Sequence, residues 1–343
     1  MKNIKIYMKK KQLIIFSFVL HISTFSLFAN TSPQKTKNWG FSVSPNFGLS
    51  FGSLGEYLYS QYETNLLVSD LQWNFSPLLK FGIKAQYNYK LFFVEGSFSY
   101  FLPTTCGKMY DSDYNKDFKT NLCFFDNKSI FAIDTSLKAS FKIPLKKIFL
   151  TPSIIGIYSA NNFVGFNGYG YFGDKEINGG WTETDVPWDN PNARKAASVS
   201  NIEYTRDELF LFLGTEIEYK IKRFTFCVGI FVSPITYTNV IDFHTDQTGN
   251  TPGYKAYSTQ YAFFSKYMAT LNFNFNLNTN VSIFINGSGI FSLITKGILV
   301  TNYGRQGTSA GIFNEQNKYY LSKQQSGSDI KKITIDCGMK FSF

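Results

Sequence analysis

The chain has 343 residues and a formal net charge of +10, with 37 Phe and 22 Tyr lifting its aromatic content to 18%. Its basic residues are scattered rather than clustered, which argues against a nucleic-acid surface. Beyond the N-terminal segment no run of 18 uncharged apolar residues occurs, so no transmembrane helix is expected.

Lys2, Lys5 and Lys9 to Lys11 form a basic head, an apolar stretch runs from Leu13 through Phe28, and Ala29 can serve as a cleavage residue. That is the pattern of a secretory signal, expected over 1–29, leaving 30–343 as one β-domain. The remaining chain is rich in aromatics, yet the whole has a mean hydropathy of only −0.13. A surface half in lipid and half in water meets both conditions. Without helices, only a closed barrel satisfies its backbone groups in lipid.

Period-two alternation predicts ten strands, near 39–60, 66–87, 90–103, 129–142, 148–173, 200–220, 224–242, 259–276, 281–297 and 323–343. In the second, Leu71, Trp73, Phe75, Pro77, Leu79, Phe81, Ile83, Ala85 and Tyr87 fall on one side. The last alternates Ile333, Ile335, Cys337, Met339, Phe341 and Phe343 with polar residues. Short links near Asn88, Pro144 to Lys147, Ile221 to Arg223 and Asn278 to Asn280 alternate with long ones over 104–128, 174–199, 243–258 and 298–322, and a shorter one near Gln61. The expected fold is all-β: a ten-stranded antiparallel transmembrane outer-membrane β-barrel with long extracellular loops and both termini in the periplasm. Several strands exceed the roughly ten residues that a bilayer needs, so they should rise above it. Inward charges such as Lys84, Asp134, Lys138, Glu216 and Glu218 predict a narrow or plugged lumen.

Past residue 29 the one histidine is His244, two residues after Asp242. Residues two apart on a strand share a face, and a carboxylate beside an imidazole orients it and raises its basicity. By spacing alone, the pair also fits an exposed loop histidine beside a solvating acid. Strict alternation from Phe224 would turn both residues outward, so a bulge is needed, and Pro234 marks where one can sit. A second acidic pair, Asp111 and Asp113, follows Met109. Two such carboxylates can share a proton or hold a water. They do not open a calcium loop, since Lys116 replaces its glycine and Leu122 its bidentate glutamate. Cys106 and Cys123 flank this segment and are expected to form a disulfide, with Cys227 and Cys337 free.

At these residues the chain resembles the omptins, ten-stranded outer-membrane endopeptidases. Asp111 and Asp113, after Met109, match the family's Met-x-Asp-x-Asp; Asp242 and His244 match its Asp-x-His. The stretch from Ser69 to Phe75 resembles the family's Ser-x-Leu-x-Trp-x-Phe. Glu56-Tyr57-Leu58-Tyr59 resembles its Glu-x-Val-Tyr, whose glutamate lines the pocket for a basic side chain. The resemblance implies Asp111, Asp113, Asp242 and His244 as catalytic, and Glu56 and Met109 as substrate-binding. It implies no metal or other cofactor, with lipopolysaccharide or another outer-membrane lipid as the candidate activator. The implied partners are peptide or protein substrates at the cell surface. Val240 stands where the family has a second pocket acid, and the acidic third outer loop (Asp174, Glu176, Glu183, Asp185, Asp189) could attract cationic peptides instead. The alternative is a barrel without enzymatic activity, an adhesin or a small channel.

Overall fold

The computed structural model describes residues 39–60, 62–63, 65–116, 118–146, 148–173, 175–177, 180–182, 187–191, 193–244, 254–303 and 324–343. The expected signal, 1–29, lies outside them, as do Asp174, Glu183 and Asp185. The strands are β1 (Trp39–Tyr59), β2 (Leu67–Tyr89), β3 (Phe92–Phe101), β4 (Thr104–Asn115), β5 (Phe118–Phe141), β6 (Ile143–Leu145), β7 (Ile148–Phe172), β8 (Lys175–Ile177), β9 (Gly180–Thr182), β10 (Arg194–Val199), β11 (Ile202–Ile221), β12 (Phe224–His244), β13 (Tyr254–Ala262), β14 (Lys266–Asn276), β15 (Val281–Ser292), β16 (Thr295–Tyr303) and β17 (Gln324–Ser342). Antiparallel pairing runs β1-β2-β3-β5-β7-β11-β12-β14-β15-β17, and β17 pairs back to β1. Ten staves therefore close a ring without a free edge. At the end away from the two described termini, β4, β13 and β16 extend staves begun or finished by β3, β14 and β15.

Those extensions correct the expected loops. Residues 104–128 are not a loop but a tall hairpin of β4 and β5, turning at Lys116. β2 is long enough to leave Ser69 to Trp73 unpaired above β3, and Met109 to Asp113 of β4 supply the partners. Unpaired backbone groups are costly, and that is what draws the segment into the wall. Likewise, the expected links 243–258 and 298–322 are shortened by β13 and β16.

The second correction concerns which way side chains face. In β2, Leu79 and Phe81 are outward and half exposed, whereas Trp73 and Phe75 are inward and buried. The single expected side of this strand is thus split. The cause lies in the ladder to β1, where Ser50 pairs Leu78 but Gly52 pairs Phe75. One extra residue at Ser76–Pro77 reverses every side chain beyond it. β5 has an extra residue between Ser129 and Phe131. β12 has one at Ser233–Pro234, because Leu211 pairs Ile235 while Leu213 pairs Val232. The Ser233 hydroxyl lies 2.8 Å from both the Leu211 and Ile235 carbonyls and can donate to either. This bulge carries Asp242 to the inside, where it is 4% exposed.

Below the bulges of β2 and β5 the outer surface is an apolar band including Leu49, Leu79, Ile154, Leu209, Ile235, Phe291 and Ile333. Trp39, Phe41, Tyr87, Tyr89, Phe141 and Phe224 form an aromatic girdle at the end with the short turns. Above the bulges the outer face is polar, with Asp70 and Gln72 on β2, Lys128 on β5, and Lys108 paired to Asp126 at 2.6 Å. Inside the lower half, inward charges are matched: Lys80 with Asp336 at 3.1 Å, Lys142 with Glu218 at 2.9 Å, Lys332 with Asp134 at 2.6 Å, and Lys138 with Glu216. Inside the upper half, Leu54, Trp73, Phe75, Met109, Phe125, Phe163, Tyr204, Val240 and Ile330 pack into one buried apolar cluster that fills the lumen.

Cys106 and Cys123 both belong to this cluster, but they are not bonded to each other. Cys123 pairs with Asp111, placing Cys106 five residues further down the β4–β5 ladder. At about 3.3 Å per residue the separation is on the order of 16 Å, well past the ~7 Å that a disulfide spans. The expected bridge is therefore replaced by two free, buried thiols. Mass mapping under non-reducing conditions should find both unpaired, with alkylation slow until the barrel is unfolded. The Ser233–Pro234 bulge has its own test, since His244 is the one histidine past residue 29. Deleting Pro234 should leave a heat-modifiable barrel in which His244 faces outward and titrates by NMR near the ordinary value of about 6.5.

Candidate active site at the rim

Three staves bring acidic residues to the upper lumen, the end bearing the longer links. On β4, Met109, Asp111 and Asp113 share the inward face, with Asp111 held between Leu71 of β2 and Cys123 of β5. Glu56 of β1 also pairs Leu71, so Glu56 and Asp111 stand on alternate staves at one level. Across the ring, Asp242 and His244 of β12 pair with Tyr204 and Ile202 of β11. Glu56 lies about 20 Å along its strand beyond Leu49, at ~3.3 Å per residue, clear of the apolar band.

His244 Nε2 lies 2.8 Å from Asp242 Oδ2. With the ring proton on Nε2 donated to that carboxylate, Nδ1 becomes the basic nitrogen. Asp242 Oδ1 and Glu56 Oε2 are buried acceptors without a hydrogen-bond partner among the described residues. Asp113 Oδ2 accepts from Asn121 Nδ2 at 3.1 Å, which ties it to β5. Met109, on the same face as Asp111, is fully buried in the apolar floor beneath it.

The charges on the two walls act on one another across the lumen. Burial, then the charge of Asp242, pushes Glu56 up to about 8, against the pull of Arg206 and His244. Burial, then Asp113, pushes Asp111 up to about 8, with His244 opposing. Burial works to lower His244, but Asp242, through its charge and its hydrogen bond, and then Asp111 and Glu56 outweigh it and raise the imidazole to about 9. Glu56, Asp111 and His244 thus influence one another's protonation in a poorly solvated bowl.

The floor is aromatic. Trp73 stacks on Tyr204 with ring centroids 5.0 Å apart, and Phe75 on Phe163 at 6.0 Å. Beneath Glu56, Arg206 and Glu208 form a buried ion pair at 2.7 Å, joined by Lys266 at 2.6 Å. No motif in the sequence singles out this trio or Tyr204. Their signal was present: Tyr204, Arg206 and Glu208 occupy one face of β11 while Leu209, Leu211 and Leu213 occupy the other.

Among solved structures, the chain is similar to the outer membrane protease OmpT from Escherichia coli, with a TM-score of 0.73 at 15% identity, covering 92% of this chain and 99% of that one. OprG from Pseudomonas aeruginosa gives 0.34 at 8% identity over 89% and 95%. The translocator domain of NalP from Neisseria meningitidis gives 0.32 at 8% over 98% of each. The first likeness shows a common fold; the other two are too remote to carry an argument. No curated protein sequence matches the chain. The Omptin family model, however, matches residues 37–343. With that match laid over the ten-stave ring, the chain is an outer-membrane β-barrel of the omptin family.

Proposed function

We propose that the chain is a cell-surface endopeptidase whose site is the upper bowl, with His244 and Asp242 on one wall and Asp111 and Asp113 on the other. The observation that carries this reading is the 2.8 Å His244–Asp242 pair, turned inward by the bulge to face Asp111. A water between His244 and Asp111 attacks the scissile carbonyl carbon as His244 takes its proton. Asp242 orients the ring and stabilises the imidazolium, while Asp111 and Asp113 fix the water. When the tetrahedral intermediate collapses, the imidazolium proton passes to the departing nitrogen, leaving a carboxylate and an amine.

Among the described residues Glu56 supplies the carboxylate of the substrate pocket, since Val240 contributes none. A basic residue before the scissile bond is therefore favoured, but less strictly than a two-acid pocket would favour it. With Trp39 and Phe343 at the far end of the barrel, the bowl opens to the exterior. Lipopolysaccharide or another outer-membrane lipid is a candidate activator. A channel is disfavoured by the apolar cluster that fills the lumen.

His244→Ala should lower cleavage of a basic-peptide panel by about 10²–10⁴-fold, as loss of a general base does. Asp242→Asn and Asp111→Asn should each fall in the same range, with the barrel intact by heat-modifiable mobility. Cleavage that survives His244→Ala would place the chemistry elsewhere.

The pH profile follows from the raised imidazole. Below its pKa of about 9 the ring is protonated and cannot accept a proton, so kcat/KM should climb from neutral toward pH 9. A basic side chain seated beside Glu56 puts a cation near His244 and disfavours the imidazolium. The limb in kcat should then lie at lower pH than the limb in kcat/KM, and only for basic substrates. Coincident limbs would count against Glu56 as the pocket acid.

A further inference from the structure

The buried charges beneath the bowl have no part in the chemistry above. Arg206 and Glu208 stand two apart on β11, and both are fully buried. Arg206 Nη2 donates to Glu208 Oε1 at 2.7 Å, and Lys266 Nζ of β14 donates to the same oxygen at 2.6 Å. Thr238 Oγ1 of β12 adds a contact at 3.3 Å. The other terminal nitrogen, Arg206 Nη1, reaches β17 and β1, donating to Asp329 O at 2.9 Å and Gly55 O at 3.4 Å. Gly55 immediately precedes Glu56, and Arg206 faces Val240 across the β11–β12 ladder.

The charges facing Glu56 are Asp242 and His244 from β12, Asp111 from β4 and Arg206 from β11. Of these, only the guanidinium is a cation at every accessible pH. We propose that Arg206 is the positioning residue of the substrate pocket: it ties down the Gly55–Glu56 backbone and, dividing its charge between Glu56 and Glu208, sets how readily the Glu56 carboxylate forms to receive a basic side chain. This rests on reading Glu56 as the pocket acid.

The arrangement makes two substitutions act in opposite directions. Removing Arg206 strips Glu56 of its permanent counter-charge, while Lys266 still neutralises Glu208. Removing the charge of Glu208 instead releases more of the Arg206 field to Glu56. A scaffold role without electrostatic influence gives no such opposition, because either change would merely loosen the same packing.

The test follows Glu56 itself. In refolded barrel, infrared difference spectra over pH record its protonated carboxyl band, assigned by subtraction of the Glu56→Gln protein. The midpoint should rise by about one unit in Arg206→Met, return toward wild type in Arg206→Lys, and fall in Glu208→Gln. Equal midpoints, or shifts of one sign in Arg206→Met and Glu208→Gln, would overturn the proposal. If Arg206→Met does not fold, the fall in Glu208→Gln decides. As a second readout, Arg206→Met should raise KM for basic peptides about tenfold near neutral pH and leave kcat within twofold. Wild-type protein inert on all peptides would remove the endopeptidase reading, while the carboxyl titration would still decide the role of Arg206.

Discussion

The structure depends on one constraint: a wall taller than the membrane must be apolar outside at lipid depth and polar outside above it. A strand with uniform period-two alternation cannot do both, because its apolar set would emerge into water. β2 keeps the same alternation from Leu71 to Tyr87 and resolves the conflict with one extra residue at Ser76–Pro77. Its apolar side chains face lipid below that point and fill the lumen above it. β5 uses the same device. The β12 bulge at Ser233–Pro234 instead keeps Ile235 outward and turns Thr238, Val240 and Asp242 inward, whereas β11 passes from lipid to water without a bulge. On β11 the outward positions change from Glu203, Thr205 and Asp207 to Leu209, Leu211 and Leu213.

From this constraint come both the floor and the site. The side chains that the bulges turn inward meet as the Trp73, Phe75 and Phe125 part of the cluster, and they displace water from the bowl above. In that poorly solvated space, charges on Glu56, Asp111 and Asp242 repel one another, and among the described residues His244 relieves them at the rim. Its raised affinity for a proton is thus a property of the whole bowl rather than of Asp242 alone.

Strand number and ring closure were legible in the sequence because alternation is strict, and the Asp242–His244 pair because its spacing is short. The Pro234 bulge was legible too, since without it the alternation from Phe224 and an inward Asp242 contradict each other. The Ser76–Pro77 bulge was not, because the alternation on either side of it is unbroken and only the change from lipid to water reveals the reversal. The β4–β5 hairpin was hidden for another reason. Met109-Tyr110-Asp111-Ser112-Asp113 reads as a polar loop until the upper half of β2 demands a partner. That same misreading brought Cys106 and Cys123 together, since a loop can fold its ends toward each other and a ladder holds them apart.

The aromatic floor also governs traffic. Among the described residues, Trp73, Tyr204 and Phe163 pack across the lumen, which makes the upper barrel a cup rather than a passage. Any polypeptide reaching the space between Asp111 and His244 has to dip in and come out on the same side, as an extended segment or a protruding loop. On the proposed function, both ends of a severed chain leave by that opening as well. A folded domain wider than the cup is excluded by shape alone, whatever residues it displays.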